Sequence, residues 1–257
     1  MLGHMFSSLI HASWRRRRFI LEQALHGRVR RARARLGLPD AGPRSRGQRT
    51  FLSEVRSRCD CRAEWFTIRV SNWFEWLAPL RRQTSVIAVE IGSFEGLSAC
   101  FLLWYVFDQA DGELICIDPF AKWPNMPAGA DNYESRFDAN TALFDKRRVV
   151  RKVTSTSHPG LLGLLAEGYE GRVDFIYVDG SHNGLDTVID GALAWKLLRA
   201  GGLMVFDDYW WSPKLPRTQR PEAAIDAFLS IVRDEAKVIH RGRQVALRKR
   251  HPGPAIR

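Results

Sequence analysis

A series of short, mainly apolar segments rich in β-branched residues punctuates this chain, at residues 86–91, 114–117, 149–153, 173–178 and 203–206. Between and after them lie stretches with helical spacing, at 97–107, 133–144, 161–165, 185–198 and 223–232. Apolar strands alternating with helices predict a parallel sheet buried on both faces, because each crossover lays a helix over one side. Two further strands, 237–239 and 244–247, flank Arg241-Gly242 as a closing pair. The predicted fold is therefore α/β, a Rossmann-like doubly wound and mostly parallel sheet of seven strands with helices on both faces.

The region before the first strand divides in two. Residues 1–50 hold twelve Arg, no Lys and only Glu22 and Asp40, so nearly all of the net charge of +11 lies there. Residues 1–36 can form a basic amphipathic helix, and 37–47, with Pro39, Gly42 and Pro43, read as a linker, giving a basic arm over 1–48. Such an arm suits an anionic membrane surface, nucleic acid or an acidic partner, or is simply solvated. At 62–82, Phe66, Val70, Trp73, Phe74, Leu77 and Leu80 recur at helical spacing and predict one amphipathic helix within a cap over 49–83. The catalytic domain is expected over 84–250.

Arg15 to Arg18 precede polar rather than apolar residues, which argues against an export signal, although the acid-poor start also suits an organellar transit peptide. The sequence has no apolar run of the length a membrane span requires. Cys59, Cys61, Cys100 and Cys116 have neither disulfide-framework nor metal-ligand spacing. These features place the expected protein in the cytoplasm, peripheral to a membrane at most through its arm, and a homo-oligomer is expected.

In a doubly wound sheet, ligands lie beyond the carboxyl ends of the strands, so polar residues there are the candidates for chemistry. The first strand runs into Glu90-Ile91-Gly92-Ser93-Phe94-Glu95-Gly96. Glycine at 92 lets the backbone turn sharply, and the amides at the following helix start face an anion. The second strand ends in Asp118, an acid able to accept from both hydroxyls of a ribose. Together these suggest an adenosine ligand, while the absence of GxGxxG spacing argues against a dinucleotide.

The fourth strand ends in Asp179-Gly180-Ser181-His182 and the fifth in Asp207-Asp208. Three carboxylates at neighbouring strand tips repel one another unless a cation joins them, and hard oxygen ligands suit Mg²⁺. The alternative is that Asp207 or Asp208 caps the following segment. His182 can take a proton from a hydroxyl in its neutral form, as can Asp179, or it can be structural. The loops 120–132, with Trp123, and 209–217, with Trp210 and Trp211, are placed to close over a substrate or to pack as anchored surface loops.

Residues 60–248, above all VEIGSFEG, ICIDPF, IYVDGSH and LLRAGGLMVFDDYWW, resemble the class I S-adenosylmethionine-dependent methyltransferases, and among them the metal-dependent small-molecule O-methyltransferases of the catechol and macrolide-sugar types. The resemblance implies S-adenosylmethionine as cofactor, with Glu90, Gly92, Ser93 and Gly96 on its methionine side, Asp118 on its ribose and Ser155 at its adenine. It implies Mg²⁺ on Asp179, Asp207 and Asp208, and O-methylation of a sugar or other small hydroxylated metabolite. Where catechol O-methyltransferases place a Lys base, this chain has His182. An RNA methyltransferase using the basic arm and a non-catalytic binding protein on the same scaffold are the competing expectations.

Overall fold

Strands that are apolar on both faces need cover on both sides, and the chain supplies it. The computed structural model describes residues 46–63, 65–122, 131–211 and 214–251. Seven strands, β1 (Ser85–Ile91), β2 (Asp111–Asp118), β3 (Val150–Thr154), β4 (Val173–Val178), β5 (Leu198–Phe206), β6 (Ala236–Arg241) and β7 (Val245–Lys249), form one sheet in the order β3-β2-β1-β4-β5-β7-β6. The β3 to β5 pairings are parallel, and β7 runs antiparallel to both its neighbours. The strand order reverses between β1 and β4, the crevice where such sheets bind ligands.

The period-two alternation of each strand sends its apolar residues to two cores. Phe175 and Tyr177 of β4 enter one core with residues of α1 (Arg46–Glu54), α2 (Val70–Leu77) and α3 (Leu97–Tyr105). Ile176 and Val178 enter the other, beneath α5 (Ser157–Ala166), α6 (Gly184–Leu197) and α7 (Pro221–Ile231). The remaining helix, α4 (Tyr133–Ala142), adds Phe137 to the first core. Asn183 caps α6 by accepting from the Leu185 amide at 2.9 Å, so the helix begins one residue past the loop that leaves β4.

Three sequence expectations change. The helix expected over 62–82 is broken: regular helix covers only Val70–Leu77, followed by a 3-10 turn at Leu80–Arg82. Pro79 cannot donate to the carbonyl of Glu75, which ends α2. Upstream, residues 60–63 are held by side chains from the β1 turn and α4 instead of by helical bonds, since the Arg62 and Ala63 amides donate to Glu95 Oε2 and the Asp60 amide donates to Asn140 Oδ1. Gly201 and Gly202, which lie between the helix expected over 185–198 and the strand expected over 203–206, fall inside β5, where the pairing with β4 shifts register between Val173 and Phe175. Helix also covers part of the stretch read as linker and arm: α1 spans Arg46–Glu54, and Gly47 sits so close to Phe74 that a Cβ there would stand 2.8 Å from its ring. The expected basic helix over 1–36, and the linker up to Ser45, lie outside the described residues. No helix among the described residues is long and apolar enough to cross a membrane.

Trp73 ties α2 to the sheet. It is fully buried, with edge contacts to Phe66 and Tyr177 at 4.7 Å and to Phe175 at 5.4 Å, and its Nε1 donates to Gln244 Oε1 at 3.1 Å. Trp73→Ala is expected to cost about 3–5 kcal/mol of stability, read as a lower urea midpoint, because the cavity lies under a sheet that cannot collapse into it.

Candidate functional site

Strand parity explains which side chains meet. Glu90 pairs in register with Cys116 on one side and Tyr177 on the other, and Tyr177 pairs with Val205. Side chains two residues on share a face, so Asp118, Asp179 and Asp207 emerge on the same side of the sheet as Glu90 and Tyr177. That is the side covered by α1, α2 and the segment 60–69.

Glu90 is fully buried, and neither carboxylate oxygen has a hydrogen-bond partner within the protein. Burial pushes its pKa up to about 7, opposed by the nearby hydroxyls of Ser98 and Ser93. Ser93 is also buried with its hydroxyl unpartnered. Gly92 and Gly96 have φ of 84° and 81°, and Gly96 forms the N-cap of α3. A Cβ on Gly92 would stand 2.0 Å from the Asp179 carbonyl oxygen, so only glycine lets the tips of β1 and β4 touch. Asp118 accepts from the Phe94 amide on Oδ2, and from the Phe120 amide and the Tyr133 hydroxyl on Oδ1. Both Phe94 and Phe120 have a φ of 47°, so the acid secures two strained turns and retains acceptor capacity on Oδ2. Ser155, half-buried, follows β3, with its amide donating to the Asp118 carbonyl at 3.1 Å.

The second half of the site lies at the tips of β4 and β5. One ligand atom each of Asp179, His182 and Asp208 lies within 4.8 Å of the others, the spacing of a metal site. His182 Nε2 stands 3.2 Å from Asp208 Oδ2 and 3.7 Å from Asp179 Oδ1. Asp207 is adjacent but fully engaged. Its Oδ1 accepts from Arg69 Nε at 2.6 Å and from the Asp208 amide at 2.6 Å, and its Oδ2 accepts from the Tyr177 hydroxyl and from Gln244 Nε2. Arg69 Nη2 also donates to Asp208 Oδ1 at 2.5 Å. Asp208 has a φ of 52°, in the left-handed region. Burial, then the neighbouring negative charge, raises Asp179 to about 7 and holds Asp207 above the ordinary carboxylate range, where Arg69 opposes the shift. Burial disfavours protonated His182, but Asp179, Asp208 and Asp207 outweigh it and raise its pKa. Trp211 covers the histidine, with ring centroids 4.8 Å apart.

Residues 89–209, which carry both halves of this site, match the family model of a methyltransferase domain. Over that span the chain is similar to methyltransferase domains. Over 158 residues it is 27% identical to an uncharacterized protein of Acanthamoeba polyphaga mimivirus, a match spanning 60% of this chain and 66% of that one. Among solved structures, the MycE methyltransferase of the mycinamycin biosynthetic pathway, in complex with Mg and SAH, superposes with a TM-score of 0.55 at 16% identity, covering 81% of this chain and 55% of MycE. The O-methyltransferase of Bacillus cereus in complex with SAH superposes with a TM-score of 0.52 at 15% identity, covering 86% and 97%. At such identities the likeness is one of fold.

Within the matched span the structure gathers Glu90, Gly92, Ser93, Gly96 and Asp118 around the tips of β1 and β2, and Asp179, His182 and Asp208 around those of β4 and β5. It does not leave Asp207 free beside them. Sequence reasoning missed Arg69, Tyr177, Gln244 and Glu95. A phenol in a strand buried along its whole length needs a partner, and that signal could have flagged Tyr177. Arg69 carries no comparable signal, because its partners lie 138 and 139 residues away. Of the loops expected to close over the site, 123–130 and 212–213 lie outside the described residues.

The raised pKa of Glu90 has a definite sign. An acid protonated more readily in the folded than in the unfolded chain loses stability as pH rises from its ordinary value near 4.5 to about 7. Without ligand, Glu90→Gln is therefore expected to unfold at higher denaturant than wild type at pH 8, by about 3 kcal/mol, and to show no such advantage at pH 4.5. Parallel curves at the two pH values would rule out a desolvated carboxylate at this position.

Proposed function

We propose that this chain transfers a methyl group from S-adenosylmethionine to a hydroxyl oxygen of a small metabolite, a sugar among the candidates, with a divalent cation of the Mg²⁺ type at the acceptor. The observation that carries the reading is Glu90. A buried carboxylate with both oxygens unpartnered, at the switch point of a methyltransferase fold, fits the ammonium of an amino-acid ligand. SAH in the B. cereus enzyme and Mg with SAH in MycE support the same choice of ligands.

When bound, S-adenosylmethionine supplies an activated methyl group on a sulfonium, so the protein's task is mainly positioning. Glu90 accepts from the ammonium, and the free capacity of Asp118 Oδ2 suits a ribose hydroxyl. Ser155, after β3, borders the adenine. Asp179 and Asp208 would hold the divalent cation, which would acidify and orient the acceptor hydroxyl. Asp207 supports that pair from behind, held by Arg69, Tyr177 and Gln244. His182, between the two acids and under Trp211, takes the hydroxyl proton in its neutral form.

Calorimetry with SAH is expected to show binding to wild type and at least tenfold weaker binding to Asp118→Ala and Glu90→Gln, since each removes a charge-assisted hydrogen bond. A folded wild type that ignores SAH would refute the reading. With labelled S-adenosylmethionine and a panel of sugar and catechol acceptors, His182→Ala is expected to lose roughly 10²-fold or more in rate. Substantial activity in that variant at saturating Mg²⁺ would instead make Asp179 the proton acceptor.

A further inference from the structure

The acid cluster already contains a cation, and it comes from outside the sheet. Arg69 lies at the start of α2, its side chain only 8% exposed, and spans two carboxylates at once: Nε on Asp207 Oδ1 at 2.6 Å and Nη2 on Asp208 Oδ1 at 2.5 Å. Nη1 is anchored on the Trp65 carbonyl. The guanidinium is thus placed by its own backbone as well as by the acids, and it cannot lose its charge at any working pH.

Its two partners differ in what they have left. Asp207 takes two further donors on Oδ2, from Tyr177 and Gln244, and the Asp208 amide on Oδ1. It stays in place without Arg69. Asp208 has a different balance: Oδ1 is on Arg69, while Oδ2 faces His182 in the group with metal-site spacing. A divalent cation at Asp179 and Asp208 would therefore share a carboxylate with a fixed guanidinium and meet its charge a few ångströms away in a poorly solvated site, where Coulomb repulsion is weakly screened.

We propose that Arg69 is an internal competitor for the divalent cation, holding Asp208 and lowering the affinity of the site. This rests on the cation reading of the proposed function. The reason for such an arrangement is electrostatic. Three acids crowded at two strand tips would be unstable as an empty cluster, and a permanent guanidinium stabilises them while leaving Asp179 and one oxygen of Asp208 for a divalent ion that binds reversibly.

The test is Mn²⁺ binding to the full chain, followed by electron paramagnetic resonance of the free ion at pH 8. Arg69→Gln is expected to bind Mn²⁺ at least tenfold more tightly than wild type, because it removes one positive charge from the cation's surroundings. Arg69→Lys keeps the charge and is expected to stay within about threefold of wild type. Adding Asp208→Asn to Arg69→Gln should abolish the gain, which locates it at this cluster. Should Arg69→Gln fail to fold, judged by circular dichroism and SAH binding, Arg69→Met keeps the apolar stem and answers the same question. Equal or weaker Mn²⁺ binding by a folded charge-removing variant would overturn the proposal while leaving the cation reading intact. Wild type and Arg69→Gln both failing to bind at about 10 mM Mn²⁺, weaker than even low-affinity protein cation sites, would refute the cation reading and this inference with it.

Discussion

Crowding three carboxylates at the ends of two adjacent strands, Asp207 buried and Asp179 and Asp208 partly exposed, is the most demanding thing this fold does. Left alone, Asp179, Asp207 and Asp208 would repel one another; burial first, and that repulsion after it, push the Asp179 and Asp207 carboxyls upward, while Arg69 opposes the shift at Asp207. The surroundings of the cluster answer that demand. Arg69 supplies charge, Tyr177 and Gln244 supply donors, and Trp73 fixes Gln244 by donating to its oxygen. These four residues come from three places: Arg69 and Trp73 from α2 and its N-cap, Tyr177 from β4, and Gln244 from just before β7. The packing of α2 on the sheet is therefore coupled to the electrostatics of the site.

The two halves of the site are coupled in the same physical way. The segment 60–69 is pinned over the β1 turn by Glu95, which accepts from the Arg62 and Ala63 amides and pairs with Arg136, and Trp65 stacks on Phe94 at 5.2 Å. Four residues later the same segment delivers Arg69 to the acids. Beneath it, the absence of a Cβ on Gly92 brings that turn against the Asp179 backbone. A displacement at the proposed cofactor end is thus transmitted to the acids both through the segment above and through the backbone contact below.

Much of the architecture was legible because it depends on local periodicity. Apolar strands between helical segments specify a parallel sheet, and the strand tips then mark Glu90, Asp118, Asp179 and Asp207. What escaped was whatever depends on partners distant in sequence. The apolar spacing of 62–82 reads as one helix, yet Glu95 takes the amides of its first residues, Arg62 and Ala63. Asp207 and Asp208 look equivalent as neighbours in the chain. Strand parity sends Asp207 inward to Tyr177 and Gln244, whereas the left-handed turn at Asp208 brings it toward His182. An acid's position in a strand was readable; the direction of its oxygens was not.

The span of that network affects how the protein is made. Asp207 draws its hydrogen bonds from residues 69, 177, 208 and 244, a reach of most of the chain. During synthesis from the amino terminus, the acids of β4 and β5 emerge well before Gln244, and β7, the antiparallel partner of β5, emerges later still. The cluster is therefore assembled among the last long-range contacts, after β1 to β4 can already have paired. A ribosome stalled before residue 244 would expose a sheet with the turn of the proposed cofactor site but an unfinished acid cluster, so the competence of this domain is decided in its final few dozen residues.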